Sequence, residues 1–208
     1  MKSAASLLLL VLFTKGRLFA QPPEHPRRAV LSIGGELSWG IGINGEAVGW
    51  AMSQPHSHVK VSARLGNGGG HAYVDAYLMK KIGPGASEED EIARTTFDLP
   101  YPFNDWVTLF DDLDLEPGVY WLVVAKPSDR TFSSINWMVA KPMALRSCCD
   151  VRYLGTKSYT FLSDAADYVP ASNFKAKYEP YGFQIEITEE GLPDVECSRG
   201  DSGLSAGN

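Results

Sequence analysis

The sequence predicts an all-β fold, specifically an antiparallel, jelly-roll-like β-sandwich, and three observations indicate this class. First, apolar and polar residues alternate over several short segments, which is the pattern of strands with one buried face. Second, a helical period of 3.6 residues is almost absent from the chain. Third, the chain has 20 glycines and 13 prolines, which indicate frequent turns between the apolar segments. Short strands at regular spacing are typical of sandwiches.

The predicted strands extend from residue 30 to residue 188. Val59–Leu65 alternates for seven residues, Ala72–Lys81 follows it after the glycine-rich segment 66–70, and the two are predicted to pair as a hairpin. Val119–Ala125 is almost entirely apolar, which is typical of a central strand covered on both sides. The remaining predicted strands are Val30–Ile33, Ala47–Met52, Thr95–Leu99, Trp106–Phe110, Ile135–Val139, Val151–Leu154 and Phe183–Thr188.

One helical turn and three segments complete the predicted organisation. Ser87 is a suitable N-cap for a turn of helix within Ser87–Arg94, because acidic residues follow it in the first turn. We assign residues 1–20 to a signal peptide and residues 21–190 to a single β-sandwich domain. Residues 191–208 are rich in glycine, serine and aspartate and are predicted to be a flexible C-terminal tail.

The composition excludes several classes of protein. Of the 208 residues, 44% are hydrophobic and 21% are charged, which is typical of a globular domain that buries a core without a metal or a disulfide. The formal net charge is −6 and the body has no cluster of Lys and Arg, so nucleic acid is not expected as a partner. No apolar run approaches the roughly 20 residues of a membrane span, so we expect no transmembrane segment in the mature chain.

Residues 1–20 have the pattern of a secretory signal peptide, which predicts a secreted, extracellular protein. Lys2 provides a short positive region and Leu7–Phe13 provides seven apolar residues. Cleavage is expected after Ala20, and a buried N-terminal strand is the alternative interpretation. Removing the three positive charges of this segment from the net charge of −6 leaves −9, which favours solubility.

Three cysteines, Cys148, Cys149 and Cys197, remain in the mature chain. An oxidising environment outside the cell favours a disulfide. Adjacent residues of an extended chain point to opposite faces, so only one of the first two cysteines is well placed for Cys197. We expect Cys197 to pair with either Cys148 or Cys149, which ties the tail to the body and leaves one thiol over.

Five segments carry a resemblance to a known group of proteins. They are Val48-Gly49-Trp50, V-K-V-S-A-R-L at 59–65, I-G-P-G at 82–85, L-x-L-x-P-G-x-Y-W-L-V at 113–123 and Y-V-P-A-S-N-F at 168–174. In this order they resemble secreted bacterial β-sandwich proteins that often end in a PEP-CTERM-type sorting signal. The resemblance covers roughly residues 47–188 and implies an exported domain without a known reaction. After Thr188 the chain has no Pro-Glu-Pro motif, apolar span or basic end, so free secretion is expected rather than anchoring.

Asp111, Asp112, Asp114 and Glu116 form a predicted acidic loop between strands. Ca²⁺ prefers oxygen ligands of this kind, so a structural Ca²⁺ is the one cofactor that the sequence suggests, and no other is expected. The spacing differs from that of an EF-hand, and a solvated acidic turn that protects a sheet edge is the alternative.

The motif His56-x-His58 places two imidazoles on the same side of a predicted strand. Two such rings can form part of a metal site, but no third ligand is evident nearby. A solvated pair at a turn entering the strand is therefore the favoured interpretation.

Exposed aromatic residues are the remaining signal of function. Tyr101, Trp106 and Trp39 lie near glycine or proline in predicted loops, where flat rings can stack on sugar rings. Asn104 and Asp105 add hydrogen-bonding groups beside Trp106. The alternative for each ring is a plug over the core, and Trp106 in particular can begin a strand and point inward.

Two classes of function remain. The first is a secreted non-catalytic module that binds polysaccharide, a cell-surface component or extracellular matrix. The second is a glycan-active enzyme, which needs two carboxylates across a cleft. The acidic residues cluster in the predicted surface turns Ser87–Glu91 and Asp111–Glu116, and no glutamate is expected to stand alone in an apolar strand. The binding module is the preferred prediction, and no catalytic residue is assigned.

Overall fold

A computed structural model of the chain describes residues 26–35, 37–42, 44–70, 72–127, 135–159, 162–176 and 182–191. The strands of this part are β1 (Arg27–Gly34), β2 (Leu37–Gly42), β3 (Gly45–Met52), β4 (His56–Asn67), β5 (Ala72–Met79), β6 (Glu91–Leu99), β7 (Phe103–Leu115), β8 (Gly118–Ala125), β9 (Ile135–Lys141), β10 (Ala144–Ser147), β11 (Val151–Tyr159), β12 (Lys175–Ala176), β13 (Gly182–Phe183) and β14 (Ile185–Glu190). Single turns of 3₁₀ helix lie at Glu88–Asp90, Leu162–Asp164 and Val169–Ala171. The predicted signal peptide, and the predicted tail beyond Gly191, lie outside the described residues.

The strands form two antiparallel sheets that pack face to face. The larger sheet has eight strands in the order β10–β1–β14–β4–β9–β13, with β7 paired to β4 and β2 paired to β9. The smaller sheet has six strands in the order β12–β11–β3–β8–β5–β6. The chain crosses repeatedly from one sheet to the other. The prediction of an all-β, antiparallel, jelly-roll-like β-sandwich is confirmed.

The core lies between the sheets, where alternate residues of each strand bury apolar side chains. Trp50 on β3 and Trp137 on β9 are among the largest fully buried side chains. The Trp137 ring packs on Phe183 with a centroid separation of 4.8 Å. Along β8, Leu122 faces this core while Trp121 belongs to a second apolar cluster on the other face of the smaller sheet. The prediction that β8 is a central strand covered on both sides is therefore confirmed.

The predicted hairpin between β4 and β5 is wrong. β4 lies in the larger sheet, where it pairs with β7, β14 and β9, whereas β5 lies in the smaller sheet beside β6 and β8. The glycine-rich connection after Asn67 therefore carries the chain across the sandwich. Alternation reports that a strand has one buried face, but both sheets bury one face, so the pattern does not reveal which sheet the strand joins.

Ser87 caps a shorter helix than the sequence predicts. Its hydroxyl accepts a hydrogen bond from the Glu89 N–H at 3.3 Å, and the Asp90 carboxylate accepts one from the Ser87 N–H at 3.1 Å. This reciprocal capping holds a single 3₁₀ turn, after which the chain extends into β6 at Glu91. Within the described part of the chain, no helix has the length and apolar character needed to span a membrane.

Candidate functional site

Gln184, between β13 and β14, lies where the pairing in the larger sheet changes. β4 pairs with β14 up to Ala63 and with β9 from Leu65 onward. The Gln184 carbonyl accepts hydrogen bonds from the Arg64 backbone N–H at 3.1 Å and from the Trp137 indole N–H at 3.0 Å. The Gln184 N–H donates to the Met138 carbonyl at 2.8 Å. Because β14 pairs with the first part of β4 and β9 pairs with its end, the junction brings together Arg64 and Gln184, which are 120 residues apart in sequence.

Arg64 faces outward from this junction, away from the core. Its neighbours Ala63 and Leu65 are fully buried between the sheets, and successive strand residues point to opposite faces. On one side Arg64 lies directly opposite Trp106 on β7. On the other side its guanidinium reaches the Gln184 side chain. Trp106, Arg64 and Gln184 therefore form one row across the outer face of the larger sheet.

The next row of the same face has a glycine at its centre. Gly66 lies opposite Asn104 on β7 and Asn136 on β9. A Cβ atom at residue 66 would have three near neighbours: the Phe103 carbonyl oxygen at 3.4 Å, Met138 Sδ at 3.5 Å and Asn136 Cβ at 3.8 Å. Gly66 itself is buried and adds no side chain between the two asparagines. We call the surface formed by the two rows the junction face; its residues are Arg64, Gly66, Asn104, Trp106, Asn136 and Gln184.

Two hydrogen-bond donors of the junction face have no acceptor among the described residues. Arg64 Nη1 donates to Gln184 Oε1 at 3.4 Å. Arg64 Nε and Gln184 Nε2, in contrast, are buried and have no hydrogen-bond partner in the part of the chain that is described. Gln184 as a whole is only 3% exposed. A buried donor without an acceptor costs about 1–3 kcal/mol, so a ligand that supplies acceptors would relieve this cost.

Trp106 lies on an edge strand with its ring partly in solvent. The side chain is 41% exposed, and β4 is the only described strand with which β7 pairs. Trp106 is in a strand, as the predicted strand Trp106–Phe110 requires, and not in a loop, but this strand begins earlier, at Phe103. Trp106 does not point inward, since its neighbour Val107 is the residue that packs on the core. Part of Trp106 is therefore in contact with solvent.

The other two predicted aromatic residues lie elsewhere. Tyr101 is 61% exposed and sits in the connection from β6 to β7. Strand residues are about 3.3 Å apart, so Phe103 at the start of β7 lies roughly 10 Å along the strand from Trp106. Tyr101 precedes Phe103 and therefore lies beyond the end of β7, away from Trp106. Trp39 lies in β2, where it pairs with Val139, and its side chain is outside the part of the chain that is described.

Arg64 and Gln184 were not predicted as site residues. Each occupies a polar position in an alternating strand, Arg64 within V-K-V-S-A-R-L and Gln184 within F-Q-I-E-I-T. The alternation indicates that both side chains leave the core. Nothing in either segment indicates that the two strands meet, because their contact depends on pairing over 120 residues.

The predicted acidic loop is instead the end of a strand. Asp111, Asp112 and Asp114 lie in β7, and Glu116 follows it. Asp112 has a φ of 57°, in the left-handed region, and the pairing between β4 and β7 shifts register at several points nearby. These irregularities are β-bulges, which hide the alternation from the sequence pattern.

The strand carboxylates contact cationic or N–H groups. Asp111 lies 3.2 Å from Arg27, Asp112 lies 2.6 Å from His58 Nδ1, and Asp114 accepts the His58 N–H at 3.3 Å. Among the described residues, no group of three or more His, Cys, Asp or Glu side chains is placed to hold a metal ion. A structural Ca²⁺ at this end of β7 stays a prediction.

His56 and His58 do not form the solvated pair that the sequence predicts. His58 has a φ of 53°, which interrupts the alternation of β4. As a result His58 is exposed, whereas His56 is buried and only 4% exposed. The hydrogen bond from the His58 ring to Asp112, with the negative charge of that carboxylate, raises the pKa of His58 above its usual value.

His56 belongs to a buried charged cluster at the opposite end of β4 from the junction. Its Nδ1 lies 2.6 Å from Glu189 Oε2, and its Nε2 lies 2.7 Å from Asp150 Oδ2. Glu189 also pairs with Arg28. When both carboxyl groups are ionised, both imidazole contacts are hydrogen bonds only if both ring nitrogens carry protons. A ring held in this way has no free nitrogen to accept a proton, so the geometry does not fit a general base. We call Arg28, His56, Asp150 and Glu189 the His56 cluster.

Glu46 is a buried carboxylate that the sequence pattern did not reveal. β3 begins at Gly45, two residues earlier than predicted, and Glu46 is 4% exposed within this apolar strand. The expectation that no glutamate stands in such a strand is therefore wrong. Glu46 pairs with Val124, which faces the core, whereas the buried Asp75 pairs with Ala125, which belongs to the outer cluster. Paired residues share a face, so these two carboxylates lie on opposite faces and do not flank one cleft.

Cys148 and Cys149 lie where the chain passes from the larger sheet to the smaller one. Cys148 is buried and its N–H donates to the Val30 carbonyl at 2.9 Å, while Cys149 is exposed. Cys197 is outside the described residues, so its pairing with Cys148 or Cys149 stays a prediction. Non-reducing peptide mapping of the secreted protein tests it.

Comparison of the chain with protein-family models, with curated proteins and with solved structures gives no match. The site geometry and the sequence pattern are therefore the basis on which a function is proposed.

Proposed function

We propose that the protein is a secreted, non-catalytic β-sandwich module that binds a glycan of the cell surface or extracellular matrix through the junction face. One observation carries the proposal: the exposed Trp106 ring lies in the same row as the two unsatisfied donors of Arg64 and Gln184. An indole offers a broad, flat, apolar surface. A sugar ring offers a matching C–H face and oxygen acceptors at its rim. The pairing of these two features supports sugar binding better than either feature alone.

The non-catalytic part of the proposal is supported by the buried ionisable groups. In the His56 cluster both ring nitrogens face carboxylates. Glu46 and Asp75 lie on opposite faces of the smaller sheet. Secretion is supported by the pattern of residues 1–20.

A binding experiment with the full-length secreted protein tests the proposal. The parent is applied to insoluble polysaccharides and, by affinity electrophoresis, to soluble ones. The parent should be retained, and Trp106→Ala should weaken retention about tenfold, as for an aromatic residue at the centre of an interface. EDTA should lower the melting temperature (Tm) if a structural Ca²⁺ is present, and should leave it unchanged otherwise.

Leu145→Ala is a matched control for Trp106→Ala. Leu145 is exposed to the same extent, 42%, but lies on β10 at the other edge of the larger sheet. Its removal should not change retention. Absence of binding by the parent, or equal binding by Trp106→Ala and the parent, would show that the junction face is not a glycan site.

A further inference from the structure

We infer that the junction face recognises an acidic sugar, that is, a glycan whose carboxylate or sulfate group is received by Arg64 and Gln184. The inference rests on the proposed function, because it names the chemical class of glycan that the same surface binds. Three properties of the site point to an anionic group rather than to neutral hydroxyls alone.

The first property is that the free hydrogen-bonding capacity at the centre of the row consists of donors. A guanidinium has N–H donors and no acceptor. The side-chain oxygen of Gln184 already accepts from Arg64, so the group it leaves unpaired among the described residues is its amide N–H. Arg64 Nη1 and Gln184 Oε1 are 3.4 Å apart. Arg64 Nε belongs to the same guanidinium as Nη1, and Gln184 Nε2 belongs to the same amide as Oε1. The two unpaired donors are therefore close to each other. A sugar hydroxyl can accept from these donors but also carries a proton that needs an acceptor, whereas a carboxylate or sulfate only accepts.

The second property is the charge of Arg64. Arg27, Arg28 and Arg94 each form an ion pair with a carboxylate. Within the described ranges Arg64 forms no ion pair, and the side chain that accepts its hydrogen bond is the neutral Gln184. A half-buried positive charge without a counter-charge is unfavourable, and an anionic group on the ligand would supply that counter-charge through charge-assisted hydrogen bonds.

The third property is the arrangement of the other charges on this face. Glu186 shares the face but lies opposite Ser62, one row from Arg64, and Lys60 lies one row further along β4. The Asp105 carboxylate accepts the backbone N–H of Trp106 at 2.8 Å and is exposed. No carboxylate of the described strands therefore occupies the row of Trp106, Arg64 and Gln184 itself. Arg64 therefore has no carboxylate of these described strands beside it in its own row.

Access to the two donors requires a change in the Arg64 side chain. Arg64 Nε and Gln184 Nε2 are shielded from solvent in this conformation. The Arg64 side chain as a whole is only half-buried, and its long stem allows the guanidinium to turn. A ligand stacked on Trp106 would place its acidic group next to the guanidinium, which can then turn and present Nε.

The probe that isolates the acidic group is homogalacturonan in two forms. The demethylated polymer carries free carboxylates, and the highly methyl-esterified polymer has the same backbone without most of them. The parent should bind the demethylated form at least about tenfold more tightly. In a second comparison, binding to dextran sulfate is measured against binding to dextran. The two comparisons together show whether a sulfate or a carboxylate is the preferred group. Without the three positive charges of residues 1–20 the formal net charge of −6 becomes −9, so non-specific adsorption of the secreted protein to a polyanion is not expected.

Two variants connect the preference to the two residues. Arg64→Gln should abolish the preference for the demethylated polymer. Gln184→Glu places a carboxylate of the same shape beside Arg64, so it should satisfy the guanidinium internally, preserve Tm and lose the preference as well. It therefore keeps the test valid if Arg64→Gln folds poorly. Lys60→Gln removes a positive charge from the same strand and should behave like the parent.

The outcomes separate the two proposals. Binding to neutral and esterified polymers as tight as to the acidic ones would overturn the acidic-sugar inference and leave glycan binding in place. An unchanged preference in both Arg64→Gln and Gln184→Glu would also overturn it. Failure of the parent to bind any of the polymers would overturn the proposed function itself.

Discussion

Replacing His56 with glutamine removes the central member of the His56 cluster while keeping a side chain of similar length. The parent ring lies between Glu189 and Asp150, at 2.6 Å and 2.7 Å. After the substitution the glutamine amide faces two carboxylates. Its NH₂ group can donate to one of them, but its oxygen cannot donate to the other. Asp150 loses the basic side chain that pairs with it, whereas Glu189 keeps its contact with Arg28.

The expected loss of stability follows from the burial of these groups. Breaking a buried ion pair costs about 3–5 kcal/mol, because the remaining charge is left uncompensated. The Glu189 side chain is 11% exposed and the Asp150 side chain is 21% exposed, so water screens them in part. We therefore expect the low end, about 3 kcal/mol, which for a chain of this size lowers Tm by roughly 6–12 °C.

Urea denaturation followed by tryptophan fluorescence measures the loss. His58→Gln is the matched control, because it removes the same kind of residue two positions along β4. There the ring is exposed, and Asp112 is the hydrogen-bond partner given to it by the described part of the chain. Its urea midpoint should stay close to that of the parent. A midpoint for His56→Gln that matches His58→Gln would refute the reasoning that the His56 cluster stabilises the sandwich.

A double variant tests the cause of the loss. His56 is the basic side chain that pairs with Asp150 in the described part of the chain. His56→Gln together with Asp150→Asn should therefore cost less than the sum of the two single losses, because no buried carboxylate is left without its cation. Strict additivity would show that the lost stability comes from packing and not from the stranded charge.

Three further predictions concern other parts of the molecule. Trp106→Ala should lower the free energy of unfolding by at most about 1 kcal/mol, and Trp137→Ala, at a fully buried site, by about 3–5 kcal/mol; equal losses would contradict the outward orientation of Trp106. Burial, assisted by the charge of Glu46, raises the pKa of Tyr159 to about 12, so between pH 10 and 12 the unfolded chain releases a proton that the folded protein retains, and stability falls as pH rises. Tyr159→Phe should make this fall shallower in urea titrations, and an identical slope would count against the assignment. Asp112→Asn should return the pKa of His58 toward its usual value in an NMR titration, because the hydrogen bond and the charge that raise it are removed.

The sequence by itself determined the local properties of the chain. Alternation in V-K-V-S-A-R-L predicted both that β4 is a strand and that Val59, Val61, Ala63 and Leu65 are buried, although Ser62 on the other face is buried as well. The apolar run of β8 predicted a strand covered on both faces. These properties follow from the two-residue period of an extended backbone, which shows within a few adjacent residues.

The sequence predicted the first and last residues of the strands less well, and the reason is again local. β3 starts early enough to include Glu46, and β7 continues through the acidic residues up to Leu115. Polar residues at buried or bulged positions break the alternation. The pattern therefore assigns them to loops, although their backbones are paired.

The tertiary structure alone decided which strands are neighbours and in which register. That decision separated β4 from β5 and placed Arg64 beside Gln184 and Trp106. It also surrounded His56 with carboxylates 94 and 133 residues away. Pairing depends on how all the apolar faces pack into one core, which is a property of the whole chain, whereas alternation is a property of a few adjacent residues.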